Sequence, residues 1–137
     1  MGDDAATLLQ NLRARFPHAS VVEQDVALEQ QLASVLRFIE TPALGLDLPL
    51  DIQGTAFQQR VWQALRDIPH GSTISYRQLA ERIGAPKAIR AVASACAANM
   101  LAMAIPCHRV VGSDGRLTGY RWGIARKQEL LKREASQ

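Results

Sequence analysis

Cysteine is scarce in this chain, since its 137 residues include only Cys96 and Cys107. Two cysteines cannot form the disulfide framework of a small secreted domain, and neither has further ligand residues at the spacing of a metal site. The N-terminus carries no basic segment followed by an apolar one, so we expect no secretory leader. These features predict a protein of the reducing cytoplasm that holds no metal ion or other cofactor.

Long apolar runs and internal repeats are also absent. The longest apolar stretch, residues 91–107, is interrupted by Ser94, Asn99 and Pro106 and is shorter than a bilayer span. We therefore expect no membrane segment. A chain of this length with 47% hydrophobic residues fits one compact domain, here interpreted as two lobes that meet near residue 54.

Charge is distributed unevenly between the two parts of the chain. Residues 1–53 carry three arginines and eight acidic residues, a net charge of −5, whereas residues 54–137 carry 13 basic and 5 acidic residues, a net charge of +8. A basic surface attracts nucleic acid through phosphate contacts. The alternative at this point is a solvated basic face without a partner.

Apolar residues at helical spacing predict three helices, at Ala5–Phe16, at Asp25–Glu40 and at Ala56–Ile68. Thr55 is a plausible N-cap of the third, whose apolar stripe is typical of a core helix. Residues 43–54 alternate loosely between apolar and polar and include a proline, which favours an extended linker.

Two shorter helices follow, from Tyr76 to Ile83 and from Lys87 to about Asn99, with Ser75 as the N-cap of the first and Gly84 as its end. Two short helices joined by a tight turn are typical of a helix-turn-helix, although other helical domains contain the same corner.

The second of these helices has no charged residue after Arg90 and mostly methyl-sized side chains. Such a helix suits a close approach to the minor groove of DNA, with Arg90 inserted as a wedge. The alternative is that its alanines pack against a neighbouring helix. Cys96, which lies in this run, is interpreted as a packing residue.

Residues 105–110, Ile-Pro-Cys-His-Arg-Val, place a thiol beside an imidazole and a guanidinium. Either neighbour could favour the thiolate, which is the nucleophilic form of cysteine. A buried cysteine that serves as a small hydrophobic residue is the alternative that the dipeptide alone leaves open.

Several segments together resemble a known family, the methylated-DNA protein-cysteine methyltransferases or O6-alkylguanine-DNA alkyltransferases. The similarity covers nearly the whole chain and is closest to the bacterial adaptive-response subgroup. It rests on Gly-Thr-Ala-Phe-Gln-Gln at 54–59, Arg-Ala-Val-Ala-Ser-Ala-Cys-Ala-Ala-Asn at 90–99, the 105–110 block, Gly-Tyr-Arg-Trp-Gly at 119–123, Tyr76 and Glu134.

The resemblance implies a mostly α fold with minor β structure. Residues 54–137 would form a helical DNA-binding alkyltransferase domain with a helix-turn-helix, and residues 1–53 an acidic, helical remnant of an N-terminal lobe with its linker. It also implies DNA repair in a bacterial cytoplasm, by a single irreversible transfer of a methyl or larger alkyl group from O6-alkylguanine, with O4-alkylthymine as a second substrate.

By the same resemblance, Cys107 accepts the alkyl group after the damaged base is flipped out of the duplex. His108 acts as its base through a bridging water and Glu134 orients His108, which is the logic of a catalytic triad. Tyr76 crowds the phosphate and donates a proton toward guanine N3.

The expected partner is double-stranded DNA bound through its minor groove by a monomer. The residues expected to contact DNA or to flip the base are Arg90, Tyr76, Ala88, Ala91, Ala95 and Arg109. The residues expected to brace or line the pocket are Asn99, Val110, Tyr120 and Arg121, with backbone groups around Cys107, Val110 and Arg121 reading the base.

The chain departs from the family pattern at its N-terminus, where the usual β strands before the first helix are absent. We therefore expect lowered stability in residues 1–50. The cysteine-rich zinc domain of the adaptive-response subgroup is also absent, so transcriptional activation is not expected of this chain alone. Two other classes stay open: a protein that binds alkylated bases without repairing them, and a Cys-His hydrolase.

Overall fold

The computed structural model describes residues 1–22 and 25–136. The predicted parts 1–53 and 54–137 therefore include residues 23, 24 and 137, which lie outside the described residues. The helices are α1 (Ala5–Arg15), α2 (Glu29–Glu40), α3 (Ala56–Arg66), α4 (Tyr76–Arg82), α5 (Ile89–Ala98) and α6 (Ile124–Ala135), and the strands are β1 (Ile74–Ser75) and β2 (Val110–Val111). Short 3₁₀ turns lie at Val26–Leu28, Pro42–Leu44 and Cys107–Arg109. The predicted mostly helical fold with minor β structure is confirmed.

The first two helices are present, but they contribute little to the core. The α-helix α2 begins at Glu29 rather than at the predicted Asp25, because residues Val26–Leu28 form a 3₁₀ turn. Asp4 caps α1 by accepting a hydrogen bond from the Thr7 amide at 2.7 Å. No residue of α1 is buried, and its apolar residues Leu8 and Leu12 are each more than 40% exposed. In α2 only Phe38 is buried. Helical spacing therefore predicted the local structure of this part of the chain correctly without determining whether its apolar face is covered.

The core lies among α3, α4 and α5. A capping box between Thr55 and Gln58 starts α3, which buries Val61, Trp62 and Leu65 along the predicted stripe. The Trp62 indole Nε1 donates to the Ala95 carbonyl at 2.8 Å and so ties α3 to α5. Burial of an aliphatic side chain such as Val61 or Leu65 stabilises the fold by about 1.5–3 kcal/mol.

The predicted helix-turn-helix is present as α4 and α5. Ser75 caps α4 in a second capping box. Gly84, at φ +71°, closes the helix in the left-handed conformation that favours glycine, and the Ala85 amide donates back to the Ala80 carbonyl. A further turn, closed by the Ala88 amide on the Ala85 carbonyl, delays α5 until Ile89, two residues later than predicted.

The two strands form a parallel pair in which Ile74 lies opposite Val110 and Ser75 opposite Val111. Because the strands are parallel, the segments that precede them meet at the same end of the pair. This pairing brings residues 68–71 beside the turn at Cys107–Arg109. None of the helices in the described part of the chain is long and apolar enough to cross a membrane.

We predict that backbone amides of α1 and α2 exchange with solvent much faster than those of α3 to α6. With almost no buried apolar surface, the first two helices can open without disturbing the core. In hydrogen exchange followed by mass spectrometry, protection factors in residues 1–50 should be at least about 100-fold lower than in residues 56–134. Equal protection in both parts would contradict this prediction.

Candidate active site

The cysteine and its two neighbours form a buried 3₁₀ turn. Cys107, His108 and Arg109 are 5%, 1% and 8% exposed, and the strand starts only at Val110. Successive side chains in a 3₁₀ turn point about a third of a turn apart. The thiol, the imidazole and the guanidinium therefore point in three different directions from one short segment.

The Cys107 thiol accepts a hydrogen bond from the Asn99 side-chain amide at 3.2 Å. The same amide nitrogen donates to the Ile105 carbonyl at 2.8 Å, and the Asn99 carbonyl oxygen accepts from the Leu101 amide at 2.9 Å, which fixes its orientation. Burial raises the pKa of the Cys107 thiol, whereas the Asn99 hydrogen bond and the positive charge of Lys127 lower it. The net shift is upward, so a base is needed to remove the proton.

One ring nitrogen of His108 is available to act as this base. Its Nε2 lies 2.8 Å from Glu134 Oε1. A carboxylate only accepts hydrogen bonds, so Nε2 carries the proton, and Nδ1 is the acceptor in the neutral ring. Nδ1 is buried and has no hydrogen-bond partner among the described residues.

Glu134 is the centre of a buried hydrogen-bond network. Arg109 donates to both of its oxygens, at 2.9 Å and 3.0 Å, and the Gly71 amide donates at 3.2 Å. Burial acts to raise the pKa of Glu134, but the hydrogen bonds and positive charges of His108 and Arg109 together lower it to about 2. The carboxylate is therefore ionised at neutral pH.

Arg109 requires a correction. We expected its side chain to contact DNA, but its guanidinium is buried, binds Glu134 and donates to the Ile68 carbonyl at 2.7 Å. The turn directs this side chain into the protein, toward α6 and the segment that follows α3. Arg109 instead holds the carboxylate that His108 also contacts.

A cavity of about 530 Å³ lies above the thiol, a size typical of small-ligand sites. Its wall combines α4, α5 and the loop before α6. It is lined by Tyr76, Ile89, Arg90, Ala93, Cys96, Ala97, Cys107, Thr118, Gly119, Tyr120 and Arg121.

Two tyrosines contribute hydroxyl groups to this cavity. The Tyr76 hydroxyl makes only long contacts, 3.4 Å and 3.5 Å, to the Thr118 and Gly119 carbonyls. Burial, with a smaller effect of the cysteines, raises the pKa of Tyr76 to about 12, so it stays a proton donor. The Tyr120 hydroxyl is buried without a hydrogen-bond partner among the described residues, and burial raises its pKa as well.

The predicted DNA-contacting residues of α5 do not all reach the surface. Arg90 and Ala91 are exposed and Ala88 is half-buried. Ala95 is 2% exposed and faces α3, so its predicted contact with DNA is wrong. At helical spacing it belongs to the face that packs on Trp62.

The predicted pocket residues also divide into two groups. Tyr120 and Arg121 line the cavity, and Arg121 is anchored by donating to the Ala97 carbonyl at 3.2 Å. Val110 does not line it, because its side chain is fully buried in the core and its amide donates to the Cys107 carbonyl. The prediction for Val110 is corrected accordingly.

Sequence reasoning missed Lys127, whose side chain is completely buried beside the cavity. Its ammonium donates to the Thr118 carbonyl at 2.9 Å and lies 5.8 Å from the centre of the Tyr76 ring. Helical spacing could have found it, because Lys127 lies seven residues before Glu134 on the same face of α6 as Leu130 and Leu131. Within the described residues, no cluster of His, Cys, Asp or Glu is placed to hold a metal ion.

Comparisons with known proteins all indicate the same family. Residues 56–136 match the DNA-binding domain of 6-O-methylguanine DNA methyltransferase. The chain is 58% identical over 135 residues to the bifunctional transcriptional activator/DNA repair enzyme Ada of Escherichia coli, an alignment that covers 98% of this chain and 38% of that protein. It is 42% identical over 127 residues to the inducible methylated-DNA–protein-cysteine methyltransferase of Bacillus subtilis, covering 93% and 71%.

A solved structure agrees with these sequence relatives. The crystal structure of Mycobacterium tuberculosis OGT in complex with DNA superposes with a TM-score of 0.73 at 47% identity, over 77% of this chain and 66% of that chain. The chain thus spans 38% of the length of the Escherichia coli relative. The residues that line the cavity all lie within the range 56–136 that the family model matches.

We predict that the buried Glu134 carboxylate makes stability depend on pH in acid. Its pKa is about 2 in the folded chain against 4.5 for a free glutamate, so its stabilising effect is complete above pH 4.5 and is lost as the pH falls through 2. Urea unfolding at several pH values should find Glu134→Gln less stable than the parent at pH 6, with the difference shrinking toward pH 2.

The matched control is Glu129→Gln, because Glu129 is exposed and pairs with Arg133 one helical turn away. An exposed pair of this kind contributes little, so this variant should follow the parent at every pH. A difference for Glu134→Gln that stays constant with pH would show that its carboxylate is not the source of the effect.

Proposed function

The chain belongs to the 6-O-methylguanine DNA methyltransferase family, and on that premise we propose that it repairs DNA by transferring the alkyl group of O6-alkylguanine to its own Cys107. The observation that carries the proposal is the thiol in the wall of a cavity, held by Asn99 and followed directly in the chain by His108, which pairs with Glu134. O4-alkylthymine, which also carries its alkyl group on an exocyclic oxygen, is proposed as a second substrate.

The transfer uses four groups of the site. His108 Nδ1 takes the thiol proton through a water, and the ionised Glu134 balances the imidazolium that results. The Cys107 sulfur attacks the alkyl carbon, the bond from that carbon to O6 breaks, and its electron pair moves into the purine. Tyr76 then donates its hydroxyl proton at purine N3.

The product is a thioether, which has no acidic proton and is a poor leaving group. The proposed site contains no group that would hydrolyse it, so each chain reacts once. The protein is therefore a stoichiometric acceptor, a single-turnover methylated-DNA–protein-cysteine S-methyltransferase.

A guanine stacked in a duplex cannot present O6 to a buried thiol, so the base must be flipped into the cavity. We propose that α5 lies in the minor groove and that Arg90, exposed at the cavity edge, fills the space left by the base. Ala88 and Ala91 allow a close approach of the helix, and Tyr76 crowds the adjacent phosphate.

The Arg121 backbone is well placed to read the flipped base. Its amide donates to no other described residue, whereas the amides of Cys107 and Val110 already donate to the Ile105 and Cys107 carbonyls. Tyr120 presents its unpaired hydroxyl to the same cavity. Of the backbone groups expected to bind the base, the Arg121 amide is therefore the one that we propose.

We propose that residues 54–137 form the DNA-binding alkyltransferase domain and residues 1–53 an N-terminal lobe with its linker, a division that the family match to residues 56–136 supports. We propose that it acts as a monomer in a bacterial cytoplasm, where a reducing environment keeps Cys96 and Cys107 as free thiols.

We predict that one methyl group is transferred to each chain from a duplex oligonucleotide that contains O6-methylguanine. Intact-mass and peptide-mass measurements should place it on the peptide that contains Cys107. Cys107→Ala should abolish transfer and retain DNA binding, because the side chain lies beneath the helix-turn-helix. Cys96→Ala, which removes the other thiol of the cavity, is the matched control and should still react.

An unchanged mass with retained DNA binding would contradict repair and favour a protein that only recognises alkylated bases. More than one turnover on an ester or amide would favour a hydrolase.

We predict that Arg90→Ala slows transfer from duplex DNA by about 10- to 100-fold and leaves transfer from free O6-methylguanine base nearly unchanged, since unstacking a base costs a few kcal/mol. Single-turnover rates on the two substrates test this. Arg116→Ala removes an exposed arginine outside the cavity and is the charge-matched control. Equal slowing on both substrates would exclude the flipping role.

A further inference from the structure

The Arg121 side chain links two walls of the cavity by a hydrogen bond. One wall is part of the loop 117–123 that precedes α6, and another is α5. The other hydrogen bonds from this loop to neighbouring elements run to side chains of α4 and α6. Within the described residues, the contact that joins the loop to α5 is the donation from the Arg121 guanidinium to the Ala97 carbonyl at 3.2 Å.

The end of α5 leaves this carbonyl without a partner of its own. Ala97 lies in the last turn of the helix, where carbonyls lack an amide of the same helix. The Leu101 amide, which would bind it in a longer helix, donates instead to the Asn99 side chain at 2.9 Å. The last turn of α5 also carries no basic residue. The Arg121 guanidinium therefore satisfies the carbonyl and interacts favourably with the negative end of the helix dipole.

The loop itself is bounded by residues that do little to fix it. Gly119 has φ +41° and Gly123 has φ +95°, in the left-handed region that favours glycine. Tyr120 and Trp122 pack edge-to-face with ring centres 5.3 Å apart, whereas Arg121 between them is exposed. Because glycine leaves the backbone unusually free, the position of residue 121 depends on side-chain contacts, and its guanidinium supplies the one toward α5.

This link connects the two groups that the transfer has to align. On the loop side is the Arg121 amide, which we proposed to hold the flipped base. On the other side, α5 leads directly into Asn99, whose side-chain amide donates to the Cys107 thiol at 3.2 Å. The sulfur, the alkyl carbon and the departing oxygen must lie nearly in line, and a misplacement of about 1 Å can slow such a step by about 100-fold.

We propose that the Arg121 side chain is a positioning residue for the alkyl transfer: by tying the loop to the end of α5, it fixes the base-binding amide relative to the Cys107 sulfur. The inference rests on the proposed function, because it assigns a role in that same reaction. The bonds that form and break are those already described. The link between loop and helix belongs to the free protein and can be measured without a substrate.

An exposed arginine beside a DNA-binding helix has an alternative role, namely contact with a phosphate. The two roles predict different behaviour of DNA and of a free base. Loss of a phosphate contact weakens DNA binding and reduces its dependence on salt by about one counterion. A free base carries no phosphate, so only the positioning role affects transfer from it.

The first experiment follows amide hydrogen exchange of the free protein by mass spectrometry. Arg121→Met removes the guanidinium and keeps an unbranched side chain. Peptides that cover residues 117–123 should exchange about three- to tenfold faster than in the parent, because the loop has lost its link to α5. Arg121→Lys can still donate to the Ala97 carbonyl and should restore most of the protection. Unchanged protection in Arg121→Met would overturn the inference.

Arg116→Met is the matched control. Arg116 is an exposed arginine of the same connection between β2 and α6, and it pairs with Asp114 on the surface at 3.2 Å. Its replacement removes the same charge without touching α5, so it should leave the exchange of residues 117–123 and the rate of transfer unchanged. An equal effect of the two substitutions would show that charge alone is responsible and would overturn the inference.

The second experiment measures single-turnover transfer from a duplex that contains O6-methylguanine and from free O6-methylguanine base. Arg121→Met should slow both reactions by a similar factor of about 10- to 100-fold and leave the affinity for undamaged duplex nearly unchanged. Arg121→Lys should recover most of the rate on both substrates. This behaviour differs from that expected of Arg90→Ala, which slows the reaction of the duplex alone.

Slowing on the duplex alone, with weaker DNA binding and a smaller salt dependence, would assign Arg121 to a phosphate and overturn the inference. If the parent itself transfers nothing to Cys107, the proposed function fails and the role in transfer fails with it. The exchange measurement still decides in that case whether Arg121 holds the loop on α5.

Discussion

The Glu134 carboxylate joins parts of the chain that are far apart in sequence, and the geometry of the site depends on it. It accepts hydrogen bonds from His108, Arg109 and the Gly71 amide, so it fastens α6 to the turn that carries the thiol and to the segment before β1. Each of these groups would be costly to bury alone. Together they satisfy one another, and the ring of His108 is fixed with Nδ1 free.

The surroundings of the cavity give its titratable groups different protonation states at neutral pH. Glu134 is ionised because its donors outweigh its burial, whereas Cys107 and Tyr76 hold their protons because burial dominates. A nucleophile that starts as a thiol needs the adjacent base, and a tyrosine that stays protonated can act as an acid.

Helical periodicity predicted most of the fold, because the spacing of apolar residues and the capping residues Thr55, Ser75 and Gly84 act over a few positions of the chain. Helical periodicity could not establish which of the apolar residues are buried. The apolar residues of α1 and α2 lie on one face as expected, yet most stay exposed, since burial needs a partner surface that no local pattern specifies. The delayed start of α5 also depended on a turn that propensity does not indicate.

By itself, the sequence determined which chemistry is present, namely a thiol, an imidazole and a guanidinium in one short block and a basic helix-turn-helix before it. It also carried the family resemblance from which Glu134 was paired with His108. Only the tertiary structure decided the direction of each side chain. Arg109 points inward to a carboxylate 25 residues away, Ala95 faces α3, and Lys127 is buried and donates to the Thr118 carbonyl. The physical reason is that contacts between distant segments depend on the packing of helices, and a one-dimensional pattern records only which residues could take part.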